Sequence, residues 1–359
     1  MLKAELRRSW RTKVIIGCGA LAELPEVLNE LSPPNTLIVT DASLKHTWLP
    51  RVAALAREAG TRVKEITVGE GERVKDVETL VTLWRAMADA ELTRKSVVVA
   101  VGGGAVLDVA GFAAATYMRG CRLVNIPSTL LAQADAAVGG KTGVNVAGKN
   151  TVGAFHHADA VIIDPSLLST LPNSAFRAGL AEVIKHAVIE GEAGVRRVES
   201  RLASVLRRDP KALEEVIAGS VALKLRVVER DYVESGVRVV LNFGHTVGHA
   251  LERVTNYGLS HGEAVAIGLR VEFLMATNLL GFPEAEASRI TSLLRRSGLP
   301  VRVPGVSAEE VVSAARLDKK FVDGEPRLPL PRRLGDFEIV TLDWEGFGEC
   351  LRNALRRCA

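Results

Sequence analysis

Two histidines, His245 and His249, stand four residues apart in the segment LNFGHTVGHALE. If this segment is helical, both imidazoles lie on one face of the helix. Many zinc enzymes hold their metal with a histidine pair of this spacing. A third ligand is still needed, and the four cysteines of the chain form no CxxC pair. Any metal must therefore be held by histidine and carboxylate side chains.

A glycine run, Gly102 to Gly104, offers a second kind of chemistry. It follows the apolar segment SVVVAV and precedes a helical pattern, so bare amides and a helix dipole could face an anion. A tight strand–helix turn would use the same glycines, because glycine adopts positive φ without strain. Gly17 and Gly19 are a weaker candidate, since the third glycine of the dinucleotide fingerprint is missing there.

Two further segments carry polar residues suited to a ligand. Asp41 ends the segment NTLIVTD. Its carboxylate could accept hydrogen bonds from ribose hydroxyls, or it could cap a helix, and the sequence favours neither interpretation. The segment DAAVGGKTGVNVAGKN, residues 135–150, places Lys141 and Lys149 beside glycines. Glycine lets the backbone approach a ligand, and each lysine supplies a point charge for phosphate or carboxylate. We therefore expect an anionic ligand at this segment.

The elements that position these residues change character along the chain. Val/Ile-rich runs alternate with amphipathic helical patterns as far as AVIIDP, which predicts a parallel sheet covered on both faces. Beyond it the pattern is mostly helical, and only GVRVVLN and FEIVTL are expected to be extended. The predicted fold class is α/β. A Rossmann-like parallel-sheet domain (1–165) would be of the nucleotide-binding type, and a mainly α-helical domain (166–359) would carry the candidate metal-binding histidines.

Composition excludes several classes of protein. The net charge is only +4 over 359 residues, and no Lys/Arg run is interleaved with aromatics, which argues against a nucleic-acid partner. No apolar run is long enough to span a bilayer, and the first residues lack a signal-peptide layout. We expect a cytoplasmic protein without membrane partners, and isolated lysines beside glycines favour a small anionic substrate.

Six ordered segments together resemble the 3-dehydroquinate synthase family of the shikimate pathway. They are GGGAVLDVAGFAAATYMRG, PSTLLAQADAAVGGKTGVNVAGKN, AEVIKHAVI, GVRVVLNFGHTVGHALE, HGEAVAIG and LDKK. The resemblance implies the fold of glycerol dehydrogenases and iron-type alcohol dehydrogenases. It also implies conversion of 3-deoxy-D-arabino-heptulosonate 7-phosphate, a small sugar phosphate, into 3-dehydroquinate and phosphate. NAD would accept a hydride and return it, so that it is not consumed, and a divalent metal, usually zinc with cobalt as an alternative, would assist.

The resemblance also assigns roles to individual residues. The metal ligands would be Glu182, His245 and His261, whereas His249 would contact the substrate phosphate. The other substrate contacts would be Lys141, Asn150 and Lys319 or Lys320 at the phosphate, Lys224 and Arg238 at the carboxylate, and Asp135, Lys185 and Asn242 at the hydroxyls. Arg119 would come from the neighbouring subunit of a homodimer. The NAD contacts would be Asp41, Glu72, Lys75, Gly104, Ala105, Val106, Leu107, Asp108, Ser128, Thr129, Lys141, Lys149, Leu167 and Thr170.

Three alternatives compete with this interpretation. Other sugar-phosphate cyclases would share the metal, NAD and phosphate contacts, but their substrates lack the carboxylate for which Lys224 and Arg238 are expected. A simple polyol dehydrogenase would release NADH and would not need a dense phosphate site. A nucleotide-binding sensor would have no role for Glu182, His245 and His261.

Overall fold

The computed structural model describes residues 10–146, 148–303, 305–316 and 325–358. Contacts within the chain divide it into two compact units, one ending at Thr170 and one beginning at Leu171. The domain boundary expected after residue 165 stays a prediction.

The first unit is built on a six-stranded parallel sheet. Its strands are β1 (Lys13–Ile16), β2 (Asn35–Asp41), β3 (Arg62–Val68), β4 (Val97–Gly102), β5 (Arg122–Pro127) and β8 (Ala160–Ile163), and a separate antiparallel hairpin pairs β6 (Lys141–Val144) with β7 (Val152–Phe155). The strand order is β1-β8-β5-β4-β2-β3. The predicted parallel sheet is therefore confirmed.

The apolar runs of this unit form buried strands because helices pack against the sheet. Strand β4 is buried along its whole length, as an inner strand of a doubly covered sheet must be. The helices are α1 (Leu24–Leu31), α2 (Leu49–Glu58), α3 (Val77–Asp89) and α4 (Gly104–Thr116). Leu28 of α1 and Val52 of α2 share one core cluster with Ile38, Val99 and Val124 of the strands. Burial of such side chains contributes about 1.5–3 kcal/mol each.

The second unit is mainly helical. Its helices are α5 (Asn173–Glu190), α6 (Glu192–Leu206), α7 (Pro210–Arg230), α8 (His245–Val254), α9 (His261–Leu280), α10 (Glu284–Arg296), α11 (Ala308–Arg316) and α12 (Trp344–Arg356), with one antiparallel hairpin of β9 (Arg327–Arg333) and β10 (Asp336–Thr341). Helix α9 is buried along most of its length. Within the described ranges, no helix combines the length and the apolar character that are needed to cross a membrane.

One segment of this unit departs from the expected structure. GVRVVLN was expected to be extended, but residues Val237–Asn242 form a 3-10 helix, so that prediction was wrong. The side chain of Asp231 accepts the backbone amides of Ser235, Gly236 and Arg238. These three bonds turn the chain back on itself, which overrides the strand preference of the valines.

The β9 strand is a second departure, because only its partner β10 was expected from the sequence. Its sequence RLPLPRR contains Pro329 and Pro331, and proline is usually a signal against a strand. In a hairpin of two strands each strand has an outer edge, where a missing N–H breaks no ladder bond. The hairpin therefore tolerates both prolines.

Candidate active site

Three predicted metal ligands meet in the second unit. Glu182 lies within α5, His245 begins α8 and His261 begins α9, so the three side chains come from three helices. The Nε2 atoms of the two histidines lie 3.4 Å and 3.5 Å from Glu182 Oε1. One ligand atom from each residue lies within 4.8 Å of the other two. The structure thus brings together residues that are up to 79 positions apart in the chain (261 − 182).

The electrostatics around Glu182 and His245 favour the protonation states that bind a cation. Burial raises the pKa of Glu182, but Lys185 and His245 outweigh it and hold the pKa well below its usual range. Lys185 Nζ lies 2.6 Å from Glu182 Oε2 and donates to the Leu241 carbonyl at 2.7 Å. Burial, followed by the charge of Lys185, lowers the pKa of His245 to about 4. Near neutral pH the site therefore contains a carboxylate and a neutral imidazole, which are ligand forms.

His261 is oriented by a carboxylate that the sequence analysis did not single out. Its Nδ1 lies 3.3 Å from Oε1 of Glu252, which is buried on α8. Burial lowers the pKa of His261, but the carboxylates of Glu182 and Glu252 outweigh it and the pKa is raised. A carboxylate at Nδ1 places the proton there and leaves Nε2 for a metal.

These residues fit a divalent metal ion. The donor set is one carboxylate and two imidazoles, the set that holds zinc in many catalytic sites with a coordination position left for substrate. Among the described residues, Glu182 Oε1 accepts no hydrogen bond although it is buried. A bound cation would satisfy that oxygen, so the fit is good.

His249 lies beside this triad. Its ring centroid is 5.3 Å from that of His245 and 5.8 Å from that of His261. His249, Glu252 and His261 also have potential ligand atoms within 4.8 Å of one another. Proximity alone therefore does not separate a metal role from a phosphate role, and the phosphate role of His249 stays a prediction.

Three further predicted substrate contacts of the second unit are two cations and an amide. Lys224 on α7 and Arg238 on the 3-10 helix are 6 % and 1 % exposed, and Arg238 Nη1 donates to the Tyr232 carbonyl at 2.7 Å. Asn242 donates to Glu234 Oε1 at 2.7 Å. Helix α7 and the 3-10 helix share an apolar cluster, so the two cations belong to neighbouring elements. Glu234 was missed by the sequence analysis, because nothing in its local sequence marks an acid that contacts a site residue.

Predicted NAD contacts lie at the carboxyl ends of strands in the first unit. Gly104 to Asp108 form the start of α4 directly after β4. Ser128 follows β5 and donates its amide to the Gly102 carbonyl at 2.9 Å. A Cβ at Gly103 would come within 3.1 Å of Thr129, so the glycine turn and the end of β5 are in close contact. This edge of a parallel sheet is where nucleotides bind in doubly wound folds.

A second group of predicted NAD contacts surrounds Lys75, which is 3 % exposed. Its Nζ lies 2.7 Å from Asp108 Oδ2 and 3.6 Å from Glu72 Oε1, and it also contacts the side-chain oxygen of Asn150. Asn145 connects the group further, since it donates to Glu72 at 3.0 Å. The structure thus links the 135–150 segment to the start of α4.

The remaining predicted NAD contacts are more dispersed. Asp41 Oδ1 accepts the amide of Ser43 at 3.0 Å, which is the helix-cap alternative. Leu167 is fully buried in the core of the first unit, so its side chain faces other apolar residues. Thr170 accepts a hydrogen bond from Trp48 Nε1 at 3.1 Å. None of these contacts assigns a ligand, and the three roles stay predictions.

The other predicted site residues are placed as follows. Asp135 lies in a π-helical turn, Ala132–Ala136, and Lys149 is half-buried. Lys141 is exposed at the start of β6, and Arg119 is exposed at the end of a short 3-10 helix with φ +64°. Lys319 and Lys320 lie outside the described residues.

Comparison with known proteins identifies the family. The family models described as 3-dehydroquinate synthase N-terminal and C-terminal match residues 65–178 and 179–321. The 3-dehydroquinate synthase of Pyrococcus furiosus is 39% identical over 90% of this chain and 94% of its own. That of Symbiobacterium thermophilum is 41% identical over 93% of this chain and 94% of its own.

Solved structures agree with these matches. The 2-epi-5-epi-valiolone synthase of Streptomyces hygroscopicus subsp. jinggangensis, with NAD⁺ and Zn²⁺ bound, superposes with a TM-score of 0.89 at 29% identity, covering 99% of this chain and 100% of that one. A 2-deoxy-scyllo-inosose synthase complexed with carbaglucose-6-phosphate, NAD⁺ and Co²⁺ has a TM-score of 0.82 at 24% identity over 95% and 96% of the two chains, which shows a shared fold. The chain belongs to the 3-dehydroquinate synthase family.

Proposed function

We propose that this protein converts 3-deoxy-D-arabino-heptulosonate 7-phosphate into 3-dehydroquinate and phosphate. The observation that carries the proposal is the triad of Glu182, His245 and His261, which forms a site suited to a catalytic metal in a chain that both family models match. A triad of this kind holds the metal and leaves a coordination position for substrate.

Two groups would be held by residues described above. Glu182, His245 and His261 would hold a zinc or cobalt ion, which supplies Lewis-acid polarisation of a substrate hydroxyl. The amides of Gly104 and Ala105, at the N-terminus of α4, suit the pyrophosphate of NAD, and NAD supplies reversible hydride acceptance without net consumption. The valiolone synthase with NAD⁺ and Zn²⁺ bound supports this pair of groups.

Substrate recognition would depend on the buried cations of the second unit. Lys224 and Arg238 would bind the substrate carboxylate, and the planar guanidinium suits two parallel hydrogen bonds to it. The hydrogen bond from Arg238 Nη1 to the Tyr232 carbonyl holds the guanidinium in place before substrate arrives. Because the substrates of the related cyclases lack this carboxylate, these two residues favour dehydroquinate synthesis over cyclisation of a sugar phosphate without a carboxylate.

His249 would assist departure of the phosphate. Its imidazole lies beside the metal ligands, and a histidine can donate a hydrogen bond or a proton to a leaving oxygen near neutral pH. Lys185 and Asn242 would orient substrate hydroxyls, because Lys185 adjoins Glu182 and Asn242 precedes the start of α8. These roles come from the resemblance together with the position of each residue in its own unit.

A homodimer is the quaternary state that we propose. An apolar groove of about 580 Å³ is lined by residues that include Val77, Trp84, Met118 and Val146, and Met118 and Val146 are 52 % and 56 % exposed. An exposed apolar patch of this kind is typical of a protein interface. Arg119 follows Met118 directly, so a second copy covering the groove would meet Arg119 as well. Sedimentation should show a dimer, and Met118→Asp should shift it toward monomer.

We also propose a cytoplasmic location. Cys121, Cys350 and Cys358 are buried free thiols. Unpaired cysteines of this kind suit a reducing compartment, where disulfides are rare.

The test of the proposed function is a comparison of two substrates. Purified protein loaded with zinc and NAD should release phosphate from the heptulosonate phosphate and form 3-dehydroquinate. It should act poorly on an analogue in which the carboxylate is replaced by a hydroxymethyl group. Faster turnover of that analogue would instead support the second candidate, a cyclase of sugar phosphates that lack a carboxylate; this chain resembles a valiolone synthase in structure.

A further inference from the structure

Glu272 is a buried carboxylate of α9 with no exposed surface. Its Oε2 accepts the amide of Gly244 at 2.6 Å, and its Oε1 accepts the amide of Val247 at 3.3 Å. Gly244 is the N-cap of α8 and has no side chain to cap the helix itself. The first amides of a helix lack partners within the helix and carry its positive dipole end. A carboxylate supplied by α9 therefore takes the place of the missing cap of α8.

The peptide group between Phe243 and Gly244 joins Glu272 to a metal ligand. Its N–H donates to Glu272, whereas its carbonyl oxygen lies 3.1 Å from Nδ1 of His245. The N–H and C=O of a trans peptide point in opposite directions, and an anionic acceptor at the N–H polarises the C=O. The carbonyl becomes a better acceptor for an Nδ1–H proton. Nε2 of His245 then remains for the metal, on the side where Glu182 Oε1 lies at 3.4 Å.

Close packing around Gly244 fixes the orientation of the Phe243–Gly244 peptide group. Gly244 has φ +78°, and a Cβ there would lie 2.8 Å from the side chain of Leu269. A Cβ on Gly268 would come within 2.0 Å of the Gly244 carbonyl oxygen. The start of α8 is thus pressed against α9, and Glu272 lies one helical turn beyond Gly268. The contact between the two helices therefore holds the Phe243–Gly244 peptide and the carboxylate in fixed register.

We infer that Glu272 is a positioning residue for His245, acting through the Phe243–Gly244 peptide group. The inference rests on the proposed role of His245 as a metal ligand. Groups that hydrogen-bond the far nitrogen of a metal-bound histidine fix its tautomer and orientation, and their loss lowers metal affinity about 10–100-fold. Glu272 is one peptide group further away, so the lower end of that range is expected.

The test compares Glu272→Gln with a control variant. Glutamine keeps the size of the side chain but loses the charge and one acceptor. The dissociation constant for zinc, measured by competition with a chromophoric chelator, should rise by about tenfold, and the visible spectrum of the cobalt-loaded variant should shift. The control is Asp343→Ala, which removes the side-chain cap of α12, where Asp343 accepts the Gly346 amide. This control should leave zinc affinity and the cobalt spectrum unchanged.

The outcomes separate the inference from the proposed function. Wild-type zinc affinity and an unaltered cobalt spectrum in Glu272→Gln would overturn the inference, whereas failure of the wild-type protein to bind zinc would overturn the proposed metal site. If Glu272→Gln does not fold, nitrogen NMR of the wild-type apoprotein decides, with the His245 signals assigned by their loss in a His245 variant. A proton on Nδ1 of His245 supports the inference, and a proton on Nε2 overturns it.

Discussion

Replacement of Lys185 by alanine should reveal how the site is held together without metal. Lys185 is 1 % exposed, and its Nζ lies 2.6 Å from Oε2 of Glu182, which is fully buried. It also donates to the Leu241 carbonyl. In Lys185→Ala the carboxylate of Glu182 stays buried while the ammonium that accompanies it is gone. The protein without metal should therefore be strongly destabilised.

The size of this effect follows from the burial of both partners. Removing one member of a buried ion pair costs about 3–5 kcal/mol. For a cooperative unit of 150–250 residues, 1 kcal/mol lowers the melting temperature by roughly 2–4 °C, which gives a decrease of roughly 6–20 °C. A divalent ion would restore a positive charge beside Glu182. Zinc should therefore raise the melting temperature of Lys185→Ala by more than it raises that of the wild type.

Differential scanning calorimetry with and without zinc measures both the melting temperature of the metal-free protein and its increase when zinc binds. Lys211→Ala serves as the control, because Lys211 is exposed in the first turn of α7 and its loss should change stability by no more than about 0.5 kcal/mol. The reasoning is refuted if Lys185→Ala without metal melts within about 2 °C of this control. It is also refuted if zinc stabilises the variant no more than the wild type.

Three further predictions concern other residues. His249→Ala should retain bound zinc and slow single-turnover phosphate release, whereas His245→Ala should lose both; a His249→Ala protein without zinc would contradict the phosphate role. Arg238→Ala should weaken substrate binding by about 2–3 kcal/mol, or roughly 30- to 150-fold in KM, and an unchanged KM would exclude the carboxylate contact. Hydrogen bonds from Arg289 lower the pKa of Glu192 to about 2 from 4.5. The ion pair of Glu192 with Arg289 therefore stabilises the fold above pH 4.5, and this stabilisation is lost as the pH falls toward 2. In thermal melts, Glu192→Gln should lose less stability on acidification than the wild type does. An equal loss of stability would argue against this ion pair.

The sheet could be predicted because it leaves a local signal, whereas the triad was predicted from the motifs of the family. Continuous apolar runs such as VVVAVG are typical of inner parallel strands, and β4 is one. The sequence predicted a mainly helical region beyond residue 165, and Glu182, His245 and His261 lie on three helices of that region. Only the family motifs selected Glu182, however, since most carboxylates on helices face solvent.

The carboxylates that support the site could not be predicted in this way. Glu252 and Glu272 occur in helical segments where a buried acid and an exposed acid have the same local sequence pattern. Their roles depend on His261, nine residues from Glu252, and on Gly244, 28 residues from Glu272. The 3-10 helix Val237–Asn242 was likewise misjudged, because the amide contacts of Asp231 outweigh the preference of its valines. Such contacts are made in the folded chain, and the hydrophobic periodicity of a segment does not predict them.

The most direct test of the proposed function is a simultaneous measurement of phosphate and NADH. Protein loaded with zinc would be mixed with a large excess of both the heptulosonate phosphate and free NAD, so that the supply of NAD would not limit a dehydrogenase. Both products would be followed through many turnovers. The proposal predicts that phosphate accumulates with 3-dehydroquinate while NADH absorbance stays flat, because the hydride is returned in each cycle. NADH formed in proportion to substrate consumed, without phosphate release, would show a polyol dehydrogenase and contradict the proposal.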